Sequence, residues 1–287
     1  MKILSIGEII FDVFNGEAEI GGAPLNFCAH CASLGAESTL VSAVGNDALA
    51  FVAMEKLHGF GVNSAFVQHN GFPTGQCIVT MNDSLPEYNV LRPAAYDKIR
   101  AENNAFSADV FAFGTLIQRD EESRNAVKNI LSKGSFKEIF CDVNLRKNCY
   151  DEESCRLCLE NATILKVSAE EEPLLADFGL YKRCFSERET VESICESYEN
   201  IKLVLYTKGE NGSLIYDRSE KEFYDVPAVE TNVVSTVGAG DSYSAAFLCE
   251  YLKNGDREPA ACCAAYAASK TLNTNVTSPT STAQSAA

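Results

Sequence analysis

The sequence predicts an α/β fold: a mainly parallel β-sheet covered by helices, with a small β-strand lid. Three observations predict it. Short apolar runs such as KILSIG (2–7), VFAFGTL (110–116) and EIFCDVN (138–144) read as strands buried on both faces rather than half-wet ones. These runs alternate with helical patterns of about 10–15 residues, the rhythm of βα units. Early strand-like stretches, roughly 9–20 and 64–97, break that rhythm and suit a small antiparallel flap projecting from the main sheet.

Each element has a local cause. Asn15-Gly16 is a hairpin turn signal inside 9–20. In LNFCAHCASLG (25–35), apolar residues recur at helical spacing and Gly35 stands as a helix stop. STLVSAVG (38–45) reads as a strand, 48–61 as a helix, and 64–69 and 75–81 as strands. Beyond them, 122–134 is an amphipathic helix, SCRLCLENA (154–162) a helix and TILKVS (163–168) a strand. Helices follow at 170–178 and 187–199, then a hairpin from KLVLYTKG (202–209) into GSLIYD. The last two helices run from GAGD to Leu252 and over 258–272. No Pro-, Gly- or Ser-rich linker divides the chain, so residues 1–287 are expected to form one domain, with a loose tail at 274–287.

The chain has 40 acidic and 24 basic residues, a formal charge of −16. Such a surface repels phosphate backbones and anionic lipid, so neither nucleic acid nor membrane is an expected partner. No apolar run approaches the roughly 18 residues of a membrane helix. Glu8 and Asp12 interrupt what would be the core of a secretion signal. Together with 12 cysteines scattered through apolar patterns, this reads as a reducing, cytoplasmic protein. The pairs Cys28–Cys31 and Cys155–Cys158 are too far apart for a zinc ribbon and read as core packing. His30, His58 and His69 show no ligand or triad spacing.

VVSTVGAGDSYSAAFL (233–248) carries the chemistry. Glycines at 238 and 240 let the backbone turn tightly and approach a ligand. Free amides at the helix start then make an anion hole, reinforced by the helix dipole. Asp241 places a carboxylate beside it, ionised near neutral pH by that same dipole. Taken alone, GAGD is also a plain glycine turn with an acidic cap. Neither a GxxxxGK[ST] loop nor a GxGxxG after the first strand occurs.

These residues, with several others in order, resemble the ribokinase-like, phosphofructokinase-B type sugar kinases. GGAPLNFCAHCASLG (21–35) with VSAVGNDALA (41–50) resembles the family's N-terminal signature, and VVSTVGAGDSYSAAFL its C-terminal one. GEIIFD (7–12), Thr74-Gly75, DVNLR (142–146), KVSAEE (166–171) and TKGENGS (207–213) fall between them. The resemblance implies a three-layer sandwich and transfer of the ATP γ-phosphate to a sugar hydroxyl. It makes Asp241 the base, and Gly238, Ala239 and Gly240 the amide donors to the phosphoryl group. Asp12, Gly22, Asn26, Arg92, Asp142, Asn144 and Arg146 become sugar-site candidates, with Gly22 removing the Cβ where the ligand would lie. Lys166, Glu171, Thr207, Lys208, Gly209 and Gly212 become nucleotide-site candidates, with Glu171 acting indirectly on Mg²⁺. Ser168 replaces the Asn of the family's N-x-x-E pattern.

Two departures matter. Ser235-Thr236 stands where the family commonly has Asp-Thr, which weakens the case for a bound monovalent cation. The usual Gly-Ala after the last helix is missing, so adenine contacts there go unassigned. GGAPLN with LRPAAYD (91–97) looks more like fructokinases, with 2-keto-3-deoxygluconate kinase or another hexose or pentose kinase as the alternative. A non-catalytic sugar sensor on the same scaffold is the alternative outside enzymes. The resemblance also suggests a homodimer through the flap, with Ile9, Ile10, Phe11 and Phe14 as apolar surface.

Overall fold

The computed structural model describes residues 1–82, 85–102 and 104–274. In chain order its elements begin β1 (Lys2–Ile6), β2 (Ile10–Phe14), β3 (Glu17–Gly21), α1 (Ala23–Ser33), β4 (Glu37–Val44) and α2 (Ala48–Gly59). Next come β5 (Asn63–His69), β6 (Gly75–Asn82), β7 (Leu85–Val90), β8 (Ser107–Gly114), α3 (Glu121–Lys133) and β9 (Ser135–Asp142). Then follow α4 (Glu152–Asn161), β10 (Ile164–Ser168), α5 (Glu172–Ala176), α6 (Glu187–Ser197) and β11 (Leu203–Thr207). β12 (Ser213–Asp217), β13 (Glu222–Val226), α7 (Ala239–Asn254) and α8 (Arg257–Leu272) complete it.

A nine-stranded sheet runs β13-β12-β11-β10-β9-β8-β1-β4-β5, parallel from β11 to β5 and antiparallel at β12 and β13. Its strands feed two separate cores. Along β8, Val110 and Ala112 point to one face while Phe111 and Phe113 point to the other; along β11, Leu203 and Leu205 oppose Val204 and Tyr206. One core is closed by α1, α2, α7 and α8, the other by α3, α4 and α6. Both faces are therefore dry, which is why the strands read as continuous apolar runs. The layers are helix, sheet, helix, as expected.

The two CxxC pairs fall on opposite sides of this sheet: Cys28 and Cys31 in one core, Cys155 and Cys158 in the other. All 12 cysteines are free. Among the described residues, no helix is long and apolar enough to cross a membrane.

The second sheet has four strands, β3-β2-β6-β7. Asn15 and Gly16, at φ 51° and 85°, make the tight turn between β2 and β3. Three expectations about this flap need correcting. First, residues 64–69 do not belong to it: β5 pairs with β4 at the edge of the large sheet, Val41 opposite Phe66. Only Val67 of β5 is buried, so this edge strand looks half-wet in sequence and resembles a flap strand. At the other end, 95–98 form a 3-10 turn. Second, the flap is mixed rather than antiparallel, since β2 and β6 pair in parallel. Both leave the carboxyl end of a parallel strand, β1 and β5, and so run the same way. Third, Ile9, Ile10 and Phe11 are buried and offer no surface to a partner, whereas Phe14 is 44% exposed. Of the tail expected to be loose, residues 275–287 lie outside the described residues.

Candidate active site

The carboxyl ends of β9, β10 and β11 lie in register, with Lys166 opposite Asp142 and Ser168 opposite Thr207. The flap strands β2 and β6 leave from this same edge. In an open parallel sheet this is where ligands bind. A recess opens here, lined by Glu8, Ala23, Pro24, Asp142, Asn144, Asp241 and Ser244 among others.

The start of α7 forms its floor. Gly238 sits before the helix at φ 78°, a left-handed conformation that an L side chain strains to adopt. The helix begins with no side chain capping its amides. Ser242 makes the first α-helical bond, to the Gly238 carbonyl, so Ala239, Gly240 and Asp241 have no helical acceptor. The Ala239 amide leans on the Thr236 carbonyl at 3.4 Å. These donors, added to the helix dipole, suit an anion.

Asp241 meets α1 across the recess. The Asn26 amide donates to Asp241 Oδ2 at 2.9 Å, although 215 positions separate them. Asn26 is itself almost fully buried. Burial raises the Asp241 carboxyl above the usual aspartate range, while the Asn26 bond and the charges of Lys166 and Arg146 pull it back.

A cation lies next to these groups. Lys166 Nζ donates to Asp142 Oδ2 at 2.6 Å, with both side chains mostly buried. A Cβ on Gly240 would lie 3.3 Å from Lys166 Nζ, so the ammonium packs against the glycine bend. Burial pushes Asp142 up to about 6 against the pull of Lys166. Burial also pulls Lys166 down, but Asp142 and Glu171 outweigh it and hold the ammonium above its ordinary value. Asp142 Oδ1 is buried without a hydrogen-bond partner.

The other expected residues divide. Asn144, at φ 41°, lines the recess. Asp12 stands on the flap outside the residues that line the recess; burial raises its carboxyl above the ordinary value, against the pull of Arg146. Arg146 likewise acts on Asp241, and is itself exposed. Gly22 was expected to leave room for a ligand. Instead its missing Cβ would lie 2.5 Å from the Glu8 carbonyl oxygen, so the space belongs to the protein. Arg92 is exposed and directed at the Arg119 carbonyl, 3.4 Å away. Glu171 spends its two oxygens on backbone, accepting from Leu145 N at 2.8 Å and Ser168 N at 2.9 Å. It thereby fastens the loop after β9 to the end of β10. Thr207 ends β11, and Lys208, Gly209 and Gly212 form the tight turn into β12, closed by Lys208 N on the Gly212 carbonyl at 2.8 Å. The Lys208 ammonium faces Glu187 at 3.3 Å, on the outer side.

Two residues were missed. Glu8 is a carboxyl only 5% exposed, yet it lines the recess. Its signal was a lone charge inside the apolar run from Ile3 to Phe11. Ser244 stands 3.5 Å from Asp142 Oδ2 and donates to the Gly240 carbonyl at 2.9 Å. Its signal was its place one turn beyond Asp241.

A lidded α/β sheet with an amide-lined helix start, a carboxylate and a buried lysine defines the class: a phosphotransferase of the ribokinase-like fold. The chain belongs to the pfkB family of carbohydrate kinases, whose model matches residues 4–283. The uncharacterized sugar kinase PH1459 from Pyrococcus horikoshii is 28% identical over 275 residues, covering 88% of this chain and 83% of that one. Its crystal structure superposes with a TM-score of 0.82, covering 98% of this chain and 95% of that one at 25% identity; it has also been solved with ATP. Fructokinase-2 of Oryza sativa is 25% identical over 280 residues, covering 88% of this chain and 80% of that one. The Vibrio cholerae fructokinase, solved with fructose, ADP and calcium, shares the fold (TM-score 0.81, 18% identity, 98% and 95% coverage).

Proposed function

We propose that this kinase transfers the γ-phosphate of ATP to a hydroxyl of D-fructose, giving fructose 6-phosphate and ADP. The observation that carries the reading is that Asp241, the α7 amides without a helical acceptor and the Lys166 ammonium lie side by side. Asn26 occupies Asp241 Oδ2 and so leaves Oδ1 to accept the proton of the sugar hydroxyl. As the sugar oxygen bonds to phosphorus and the bond to the β-phosphate oxygen breaks, charge gathers on the phosphoryl oxygens. The amides of Ala239, Gly240 and Asp241, with the Lys166 ammonium, are already aimed where that charge develops. Asp12, Asn144 and Arg146 hold the sugar. The flap closes over it and excludes the water that would otherwise take the phosphate.

Mg²⁺ fits Asp142, whose Oδ1 is a buried carboxylate oxygen without a partner, better than Glu171, whose two oxygens already hold amides. When bound, the ion would neutralise charge on the ATP phosphates. Among the described residues, no group of three or more His, Cys, Asp or Glu forms a metal site, so phosphate and water would supply most of its ligands. Ser235 accepts the Val237 N–H at 3.3 Å and brings no carboxylate, which supports activity independent of K⁺.

Fructose as acceptor draws on the resemblance to fructokinases. The exposed Arg146 guanidinium, whose charge acts on Asp12 and Asp241, favours a second reading, a sugar acid such as 2-keto-3-deoxygluconate, since a guanidinium pairs well with a carboxylate. ADP release measured across ketoses, aldoses and sugar acids separates them. The highest kcat/KM is expected with fructose; a sugar acid preferred by tenfold or more, about 1.4 kcal/mol, overturns the fructose assignment.

A further inference from the structure

No side chain caps the first turn of α7, and its Ala239 N–H reaches the Thr236 carbonyl only at 3.4 Å. Contacts from outside the helix therefore matter for its place. On one side Asn26 of α1 holds Asp241. On another, the Tyr243 hydroxyl donates to Ser213 Oγ at 2.7 Å, although 30 positions separate them. Both residues are buried, Tyr243 at 6% exposure and Ser213 at 2%. Side chains on a helix lean toward its N-terminus, so Tyr243 reaches back along the turn that holds Ala239 and Gly240. Ser213 is fixed from both sides, its backbone in register between Thr207 of β11 and Val226 of β13. It directly follows Gly212, which closes the tight turn from Lys208. That turn is packed closely on β13, because a Cβ on Gly212 would collide with the Val226 carbonyl.

We propose that Tyr243 and Ser213 are positioning residues for ATP: their buried hydrogen bond sets the spacing between the amide-bearing turn of α7 and the tight turn over 208–212. It rests on the reading above, in which the γ-phosphate meets the α7 amides, and on the same nucleotide reaching the turn at 208–212. A phenylalanine would fill the space of Tyr243 with no polar group to satisfy, whereas a buried hydroxyl is destabilising without a partner. What the hydroxyl pair adds is direction. A hydrogen bond holds its two oxygens near one separation and one angle, where apolar surfaces can slide. The bond crosses from the helix layer to the sheet, so the two turns are held as one body. Buried as they are, the two hydroxyls act through the turns they join and not on substrate.

The test is a double-mutant cycle on the full chain, with ATP and the preferred sugar from the panel. Tyr243→Phe and Ser213→Ala each delete one hydroxyl and little volume, so both variants are expected to fold. Each should raise KM for ATP by about threefold to tenfold, the factor one hydrogen bond supplies. KM for the sugar should stay within about twofold of wild type. The double variant should be no worse than the poorer single one, since the bond can be lost only once. Calorimetry of ATP binding without sugar should show the same weakening, which a general loss of stability would not produce. An unchanged KM for ATP in both single variants, equal rises in the two KM values, or losses that multiply overturn the proposal. The reading beneath it is checked separately on the wild-type chain. A non-hydrolysable ATP analogue should shift the amide resonances of both 209–212 and 239–241. A turn that does not respond removes that reading, and the coupling with it, whatever the variants do.

Discussion

Lys166 reaches from β10 to Asp142 at the end of β9, 2.6 Å away, and its ammonium rests against the Gly240 bend of α7. Three elements are thereby joined at one buried charge pair, and the cation is held beside the helix amides rather than free in solvent. Such a pair contributes placement more than stability, because both charges had to leave water.

Lys166→Met removes the cation and leaves Asp142 buried without its partner. A loss of about 3 kcal/mol in unfolding free energy is expected at neutral pH, together with a fall in kcat. Without Lys166 the buried Asp142 carboxyl should titrate above its value of about 6 in the wild type, so the stability loss should shrink as pH falls towards 6 and level off below it. Denaturant melts across pH check both the size and the trend.

Asp241→Asn keeps the shape and loses the proton acceptor. A drop in kcat of roughly a hundredfold to ten-thousandfold is expected, with sugar affinity preserved in calorimetry. In the wild type, burial raises the Asp241 carboxyl, and only its ionised form accepts a proton. The acid limb of kcat/KM should therefore lie above the ordinary aspartate value of about 3.9.

Gly238→Ala and Gly240→Ala should part company. The first forces a side chain to φ 78° and is expected to cost about 1 kcal/mol of stability. The second meets only the flexible end of Lys166, so melting should change little. It crowds the phosphate cradle, and a reduced kcat is the expected readout.

Glu8→Gln tests the buried carboxyl through pH-dependent stability. The native pKa of about 7 exceeds the usual 4.5, so between those values the folded state binds more protons than the unfolded one. Wild-type stability then falls as pH rises through that window, by an amount on the order of 3 kcal/mol at most. The neutral variant lacks this fall. Its melting temperature should gain on wild type from pH 5 to pH 8, and parallel curves would refute the shifted carboxyl.

Much of the candidate site was legible in the sequence where its cause is local. The glycines and Asp241 announce a helix start, and the end of β9 announces Asp142 and Asn144. Other roles changed on folding. Glu171 looked like an acid near metal, but its oxygens close backbone amides at 145 and 168. Gly22 looked like a clearance for ligand, but the clearance is filled by the Glu8 carbonyl. Lys208 looked like part of a nucleotide loop, and its ammonium turns toward Glu187.

By itself the sequence determined the βα rhythm, the double-sided burial of the strands and the helix opened by GAGD. These follow from periodicity and turn chemistry within a dozen or so residues, where each amino acid acts on its own neighbours. Only the tertiary structure decided that Asn26 meets Asp241, and that residues 63–69 edge the large sheet rather than the flap. Those outcomes depend on which strands pair and which helix ends meet across the sheet. Contacts between residues far apart in the chain leave no periodic trace in either local segment.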